Sequence, residues 1–353
     1  MVDQQDYSIR AVSVAAAGLL NSGVEQVALL GGEWNRTYRI DLLDGQRYIG
    51  KIVPDTEAER AQLHWQHALL DRCAKQSDLP APRVTQNEAG FDSVPVQLGN
   101  ERWLLSCYLW LPGQILAEIP THTPELLAGW GRLAGRLVVA MEGMAPGQDV
   151  RSTHEWDLLG APHAIASHLS ALESADERRY VETAMDWFDE YVSPHVDSLP
   201  RAVIHQDLND HNVLAEIDSS GAQRITGVID FTDALLTARV SEIAIAGGYA
   251  MLRKEDPATV LATVVAGFDE IVELSDLELS VLYPMAVLRL ALNGVTWKSR
   301  NDASPGGYGE QRSQHTWTTL AQLVSIHPTE VNRILLSHRD QSACPSRASS
   351  KEL

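Results

Sequence analysis

His205-Gln206-Asp207-Leu208-Asn209-Asp210-His211-Asn212, followed further along by Val228-Ile229-Asp230-Phe231, is the stretch on which the fold of this chain turns. Asp207 and Asn212 are separated by four residues, enough for a short loop that aims the carboxylate one way and the amide another. Beyond Asn212 come Val213-Leu214-Ala215-Glu216-Ile217, the turn-rich Asp218-Ser219-Ser220-Gly221, and Arg224-Ile225-Thr226-Gly227-Val228-Ile229. Two apolar runs around an Asp/Ser/Gly cluster read as a β-hairpin. Pairing Ile217 near Ile225 and Val213 near Ile229 brings Asn212 and Asp230 out side by side at the open end. Two oxygen ligands on adjacent strand ends suit Mg²⁺, which takes a few protein oxygens and fills its shell with phosphates and water.

This pair of motifs is the one that phosphoryl-transfer enzymes use for the chemical step. On that basis Asp207 accepts the proton of an acceptor hydroxyl, Asn212 and Asp230 hold Mg²⁺, and His205 orients the loop. His205, Asp207 and His211 could instead ligate zinc, but that alternative leaves Asn212 and Asp230 without a role. Lys51 is the third key position. It lies in the strand pattern Tyr48-Ile49-Gly50-Lys51-Ile52-Val53, from which it can reach nucleotide phosphates.

The chain has 353 residues, enough for two lobes with substantial cores. Its net charge of −19, from 47 acidic against 28 basic residues, argues against nucleic acid or an anionic membrane as partner and suits a cationic or zwitterionic small molecule. Cys73, Cys107 and Cys344 show no paired spacing and read as free thiols of a reducing compartment, the cytoplasm. The N-terminus is acidic and polar, unlike a secretory signal. No apolar run is expected to approach the length of a membrane span.

The pattern predicts a helix over Ile9 to Leu20 and strands over Val27 to Leu30, Thr37 to Leu43 and Arg47 to Val53, with a turn at Asp44-Gly45. A helix from about Asp55 to Lys75 and strands over Ser93 to Leu98 and Glu101 to Leu109 complete a β-rich N-lobe of residues 1–110. Residues 111–336 read as a helical C-lobe, with helices over Pro124 to Glu142, Ala161 to Leu172, Ala175 to Val192, Val240 to Leu252, Pro257 to Glu273, Asp276 to Asn293 and Gln311 to Ile326. Residues 337–353 read as a disordered tail. The fold class is thus α+β and bilobal, with a cleft between the lobes.

Gly31-Gly32-Glu33-Trp34-Asn35-Arg36-Thr37-Tyr38, Tyr48 to Lys51, His205 to Asn212 and Val228 to Phe231 together resemble the aminoglycoside phosphotransferase-like small-molecule kinases. The run His205 to Asn212 is most similar to the hydroxylysine kinase branch, in which a glycine usually stands where this chain has Gln206. The resemblance implies a protein-kinase-like fold and transfer of the γ-phosphate of ATP or GTP to a hydroxyl of a small, often amine-bearing molecule. It implies that Lys51, Gly31 and Gly32 bind the nucleotide, and that Leu105 to Leu109, with Ser106 and Tyr108, form the hinge whose backbone meets the nucleobase. The branch also expects an acid in the helix after Lys51. Glu57 and Glu59 lie early for it, and Gln62 and His64 stand nearer the expected turn.

Gln206 stands where protein kinases carry an arginine, and no Ala-Pro-Glu segment follows Asp230-Phe231-Thr232, so a small molecule is the better acceptor. Hydroxylysine needs a cation for its carboxylate and acids for its ammonium groups. Arg289 is the candidate for the first, and Asp233, Glu242 and Asp157 for the second, with Trp156 and Trp297 lining the pocket. Homoserine, choline, ethanolamine or an aminoglycoside are alternative acceptors, and a silent nucleotide-binding module is the alternative of a different class.

Overall fold

The computed structural model describes residues 4–31, 36–300 and 308–342. It divides into two compact units, residues 1–112 with 146–151, and residues 113–145 with 152–353.

The first unit opens with α1 (Gln4–Leu20) and continues through β1 (Val24–Gly31), β2 (Thr37–Leu42), β3 (Arg47–Pro54), α2 (Glu57–Ala74), β4 (Val94–Leu98) and β5 (Glu101–Leu109). The strands form one antiparallel sheet in the order β1-β2-β3-β5-β4. Gly45, at φ 84°, makes the β2–β3 turn, a left-handed conformation that suits glycine. Val12, Ala16 and Leu19 of α1 pack with Ile40, Leu42, Ile52, Leu105 and Cys107 in the core of this unit. Alternation along a strand sends neighbouring side chains to opposite faces. Lys51, between Gly50 and Ile52, and its register partners Thr37 and Ser106 therefore share the face away from α1.

The second unit begins with β6 (Gln114–Ile115), followed by α3 (Pro124–Ala140), α4 (Ala161–His168), α5 (Ala175–Trp187), β7 (Arg201–Ile204), β8 (Val213–Ile217), β9 (Gln223–Val228) and β10 (Leu235–Ala238). The helices α6 (Val240–Ala250), α7 (Pro257–Asp269), α8 (Asp276–Ser299), α9 (Tyr308–Ser313), α10 (Thr316–Leu323) and α11 (Pro328–Ser342) complete it. α11 reaches six residues into the segment expected as a tail, and 343–353 lie outside the described residues. α8 corrects another expectation: it is long and apolar enough to cross a membrane, but 94% of that stretch is buried within the protein. Burial among α4, α6, α10 and α11 accounts for its composition.

The expected hairpin is β8–β9, with a different register. Val213 pairs with Val228, Ala215 with Ile225 and Ile217 with Gln223, with an irregularity between Leu214 and Ala215. Two short strands that the pattern did not predict, β7 and β10, pair with each other. The loop 205–212 runs from β7 to β8, and the loop 229–234 runs from β9 to β10. Since β7 pairs with β10 and β8 with β9, the two loops must lie side by side.

Candidate active site

Asp207 sits at the centre of these two loops. Its Oδ1 accepts hydrogen bonds from Asn209 Nδ2 and Arg289 Nη2, both at 2.7 Å. Its Oδ2 accepts one from Asn212 Nδ2 at 2.7 Å. Asn212 Nδ2 also donates to the Asp207 carbonyl at 2.8 Å, which turns the amide oxygen of Asn212 away from Asp207. The Asn212 carbonyl accepts from the Ile229 N–H at 2.9 Å, so Asn212 and the residue before Asp230 are joined directly. Asp230 has left-handed backbone, φ 67° and ψ 77°, and its Oδ1 accepts from the Thr232 hydroxyl at 2.6 Å. A carboxylate and an amide oxygen at adjoining strand ends are the hard oxygen donors that a small divalent cation takes, and the residues present fit one.

The zinc alternative fails on geometry. His205 Nε2 donates to the Ile229 carbonyl at 3.0 Å and Nδ1 accepts from the Asp207 N–H at 3.3 Å, so backbone groups engage both ring nitrogens. Among the described residues no three His, Cys, Asp or Glu side chains converge on a point. The His205 ring meets Phe231 edge-on at 4.7 Å, which ties the two loops together as an orienting histidine would.

Gln206 has φ 68°. Left-handed backbone is strained for a side chain with a Cβ, which is why glycine is at ease at this position. Gln206 Nε2 donates to the Trp156 carbonyl at 3.0 Å, so its side chain fastens the loop to a neighbouring segment.

Glu242, in the first turn of α6, is fully buried, and its two oxygens accept the N–H groups of His205 (3.2 Å) and Gln206 (3.0 Å). It therefore holds the loop 205–212 from beneath and is not presented to a substrate ammonium. Burial pushes its carboxyl up to about 8, against the two amide hydrogen bonds that favour the charged form. A folded-state value above the unfolded one means that folding takes up a proton. The contribution of Glu242 to stability is therefore complete below about pH 4.5 and lost as pH rises through about 8. Glu242→Gln removes this dependence and turns an amide NH₂ toward a backbone N–H. The variant is expected to lose about 1–3 kcal/mol at pH 6 and to flatten the stability profile between pH 5 and 8. Chemical denaturation across that range would show it, and a variant with the wild-type slope would refute the assignment.

Arg289 also departs from expectation. It is 1% exposed, donates Nη1 to the Trp156 carbonyl at 3.0 Å and Nη2 to Asp207, and lies over the Trp156 ring at 4.9 Å. A guanidinium so engaged holds Asp207; it is not presented to a substrate carboxylate. Trp156 and Trp297 do come together, with ring centroids 6.1 Å apart. Asp233 offers its carbonyl to His154 Nε2 at 3.0 Å. The Asp157 carboxylate accepts from the Leu159 N–H and the Thr237 hydroxyl, both at 3.3 Å, a local structural role.

In the first unit, Lys51 lies on β3 opposite Ser106 of β5. Gln62 is buried and its Oε1 accepts the Arg151 N–H at 3.3 Å, while His64 is exposed. The hinge expected over Leu105 to Leu109 needs correction. The Cys107 carbonyl accepts from Thr85, the Leu109 N–H donates to Arg83, and β3 pairs with the opposite edge. The sheet thus engages the backbone of that segment, and the Tyr108 hydroxyl bonds His67 Nε2 at 3.0 Å. Gly31 ends β1 opposite Thr37, and Gly32 lies outside the described residues.

The family model described as "Phosphotransferase enzyme family" matches residues 25–277. The chain belongs to this phosphotransferase family. The phosphotransferase is 28% identical over 212 residues to hydroxylysine kinase of Mus musculus, covering 58% of this chain and 56% of that protein. It is 24% identical over 253 residues to that of Danio rerio, covering 70% and 71%. It thus spans little more than half of the first relative's length. Its fold matches an aminopropanol kinase associated with a microcompartment (TM-score 0.67, 18% identity, 94% of this chain and 98% of that one). It also matches an amicoumacin kinase solved with AMP-PNP and Ca²⁺ (TM-score 0.64, 17% identity, 89% and 93%). The phosphotransferase thus has the bilobal protein-kinase-like fold class, with a β-rich N-lobe and a larger helical C-lobe.

Proposed function

We propose that this kinase moves the γ-phosphate of ATP or GTP to the hydroxyl of hydroxylysine or a closely related amino alcohol, in the cytoplasm, with Mg²⁺ as its cation. The observation that carries this reading is the bonding of Asp207. Three donors hold its carboxylate, two on Oδ1 and one on Oδ2, so Oδ2 is the less occupied oxygen and the one that receives the acceptor hydroxyl. Asp207 orients that hydroxyl and takes its proton. Asn212 and Asp230 hold the cation, which when bound neutralises charge on the phosphates. Lys51 contributes a further positive charge toward them. The buried, free Cys107 supports a reducing compartment. The hydroxylysine kinases among the relatives support the acceptor.

The test is nucleoside-diphosphate release from ATP and from GTP with Mg²⁺, over hydroxylysine, homoserine, choline, ethanolamine and one aminoglycoside. Turnover is expected to be fastest with hydroxylysine and to vanish on chelation of the metal. Faster turnover with another acceptor would move the assignment to that alcohol.

A further inference from the structure

Beside the loop 205–212, two indoles and a carboxylate surround a guanidinium. Trp156 and Trp297 stand with ring centroids 6.1 Å apart. The Arg300 guanidinium lies 5.6 Å from the Trp156 centroid and 5.2 Å from the Trp297 centroid, both within cation–π range. Its Nη2 donates to Glu155 Oε2 at 2.6 Å. Glu155 is fixed in turn: its Oε1 accepts from His168 Nε2 at 2.9 Å, and His168 Nδ1 meets the Ser299 hydroxyl at 2.8 Å. The Trp297 indole N–H donates to Asn293 Oδ1 at 3.0 Å, which sets the plane of that ring.

This box is tied to Asp207. The Trp156 carbonyl accepts from Gln206 Nε2 and Arg289 Nη1, both at 3.0 Å, and Arg289 Nη2 donates to Asp207 Oδ1 at 2.7 Å. The two arginines over Trp156 differ in freedom. Arg289 is 1% exposed and bonded to Asp207, so it is a fixed part of the wall. The Arg300 side chain is 27% exposed and its Glu155 partner 31% exposed, so this pair meets water and costs little to break. Two aromatic faces and a carboxylate bind an alkylammonium by the same forces that hold a guanidinium.

We propose that Glu155, Trp156 and Trp297 form a cage for an ammonium of the acceptor, and that Arg300 holds this place until the acceptor displaces it into solvent. The proposal rests on the amino-alcohol reading above. It supplies the acid that Glu242 and Asp157, both engaged in structure, do not. The Arg289 guanidinium stands between the Trp156 carbonyl and Asp207. The cage therefore takes the ammonium farther from the reacting hydroxyl, which in hydroxylysine is the α-ammonium. Arg300 acts as an internal competitor that weakens the apparent affinity for the acceptor.

The experiment measures kcat and KM with hydroxylysine and with its analogue lacking the α-amine, an amino-hydroxyhexanoate. The proteins are the wild type, Arg300→Ala, Arg300→Lys and Glu155→Gln, with melting curves to verify folding. The wild type should prefer hydroxylysine. In Arg300→Ala the KM for hydroxylysine should fall about 3- to 10-fold, while the KM values for the analogue and the nucleotide stay as they are. Arg300→Lys keeps a cation in the cage and should stay nearer the wild type. Glu155→Gln should raise the KM for hydroxylysine about 10-fold and leave that for the analogue alone. A hydroxylysine KM that rises or stays level in Arg300→Ala, or that shifts equally for both acceptors, would make the ion pair structural and overturn the proposal. A wild type that uses both acceptors equally would sink the cage while the proposed function stands. A wild type active on no amino alcohol would remove the proposed function itself, and the cage with it.

Discussion

Asp207→Asn should lower kcat by about three to four orders of magnitude while nucleotide affinity stays within a few-fold of wild type. The side chain changes little in shape, so the loss isolates its chemistry. Oδ1 and Oδ2 of Asp207 meet only donors: Asn209 Nδ2, Arg289 Nη2 and Asn212 Nδ2. An amide puts an NH₂ against one of these donors and cannot take a proton from the acceptor. Its oxygen can still accept from Arg289, which is 1% exposed and has no water to turn to. Both variants leave the buried guanidinium without its counter-ion, and Asp207→Ala also removes the remaining hydrogen bond, a loss of about 3–5 kcal/mol. The expected pattern is thus two inactive variants, of which Asn melts below wild type and Ala further below it. Calorimetric titration with nucleotide and a thermal melt of each variant separate the effects. Nucleotide affinity lost together with turnover in Asp207→Asn would count against a role confined to the acceptor hydroxyl.

The parts of this site that were legible in the sequence are the local ones. Asp207 and Asn212 are close in the chain, and the β8–β9 hairpin carries Asp230 back to Asn212 through contacts between near neighbours. The bounds of β5 were legible because a long apolar run between clear turns allows few alternatives. The register of β8–β9 was not, because an irregularity between Leu214 and Ala215 cannot be read from apolar pattern alone. β7 and β10 are four residues each, and their partners lie far apart in sequence, so nothing local distinguishes them from loop. Arg289 was assigned to the substrate because its partner, Asp207, is 82 residues away. Glu242 carried a signal that was misread. It is the lone acid in α6, whose residues are all buried, and a buried carboxylate must find donors in the protein. The amides of His205 and Gln206 are those donors. The hinge was misplaced because strand pattern does not reveal that residues 83–85 engage the outer edge of β5.

The scaffold beneath the site predicts the second large effect. α3 and α7 cross with glycine on both helices. A Cβ at Gly131 would stand 1.8 Å from the Val264 carbonyl oxygen, and one at Gly267 would stand 2.0 Å from the Ala128 carbonyl oxygen. Both obstacles are backbone, which no rotamer change can move, so the helices themselves would have to separate. Gly267→Ala is therefore expected to cost about 3–5 kcal/mol, a fall in Tm on the order of 10 °C for a unit of this size. Gly18→Ala is the matched control. Gly18 lies in α1, where an added Cβ meets nothing within 4 Å, and alanine there should leave stability equal or raise it by up to about 1 kcal/mol. Helix propensity alone favours alanine at both positions, so opposite signs in the two melts would isolate the crossing as the cause. Equal melts would mean that α3 and α7 part at no cost. The consequence reaches the chemistry, because α3 and α7 both pack on α6, and α6 carries the carboxylate that holds the amides of His205 and Gln206. A Gly267→Ala protein that remains folded at low temperature should then lose kcat before it melts, as Glu242 shifts beneath the loop that presents Asp207.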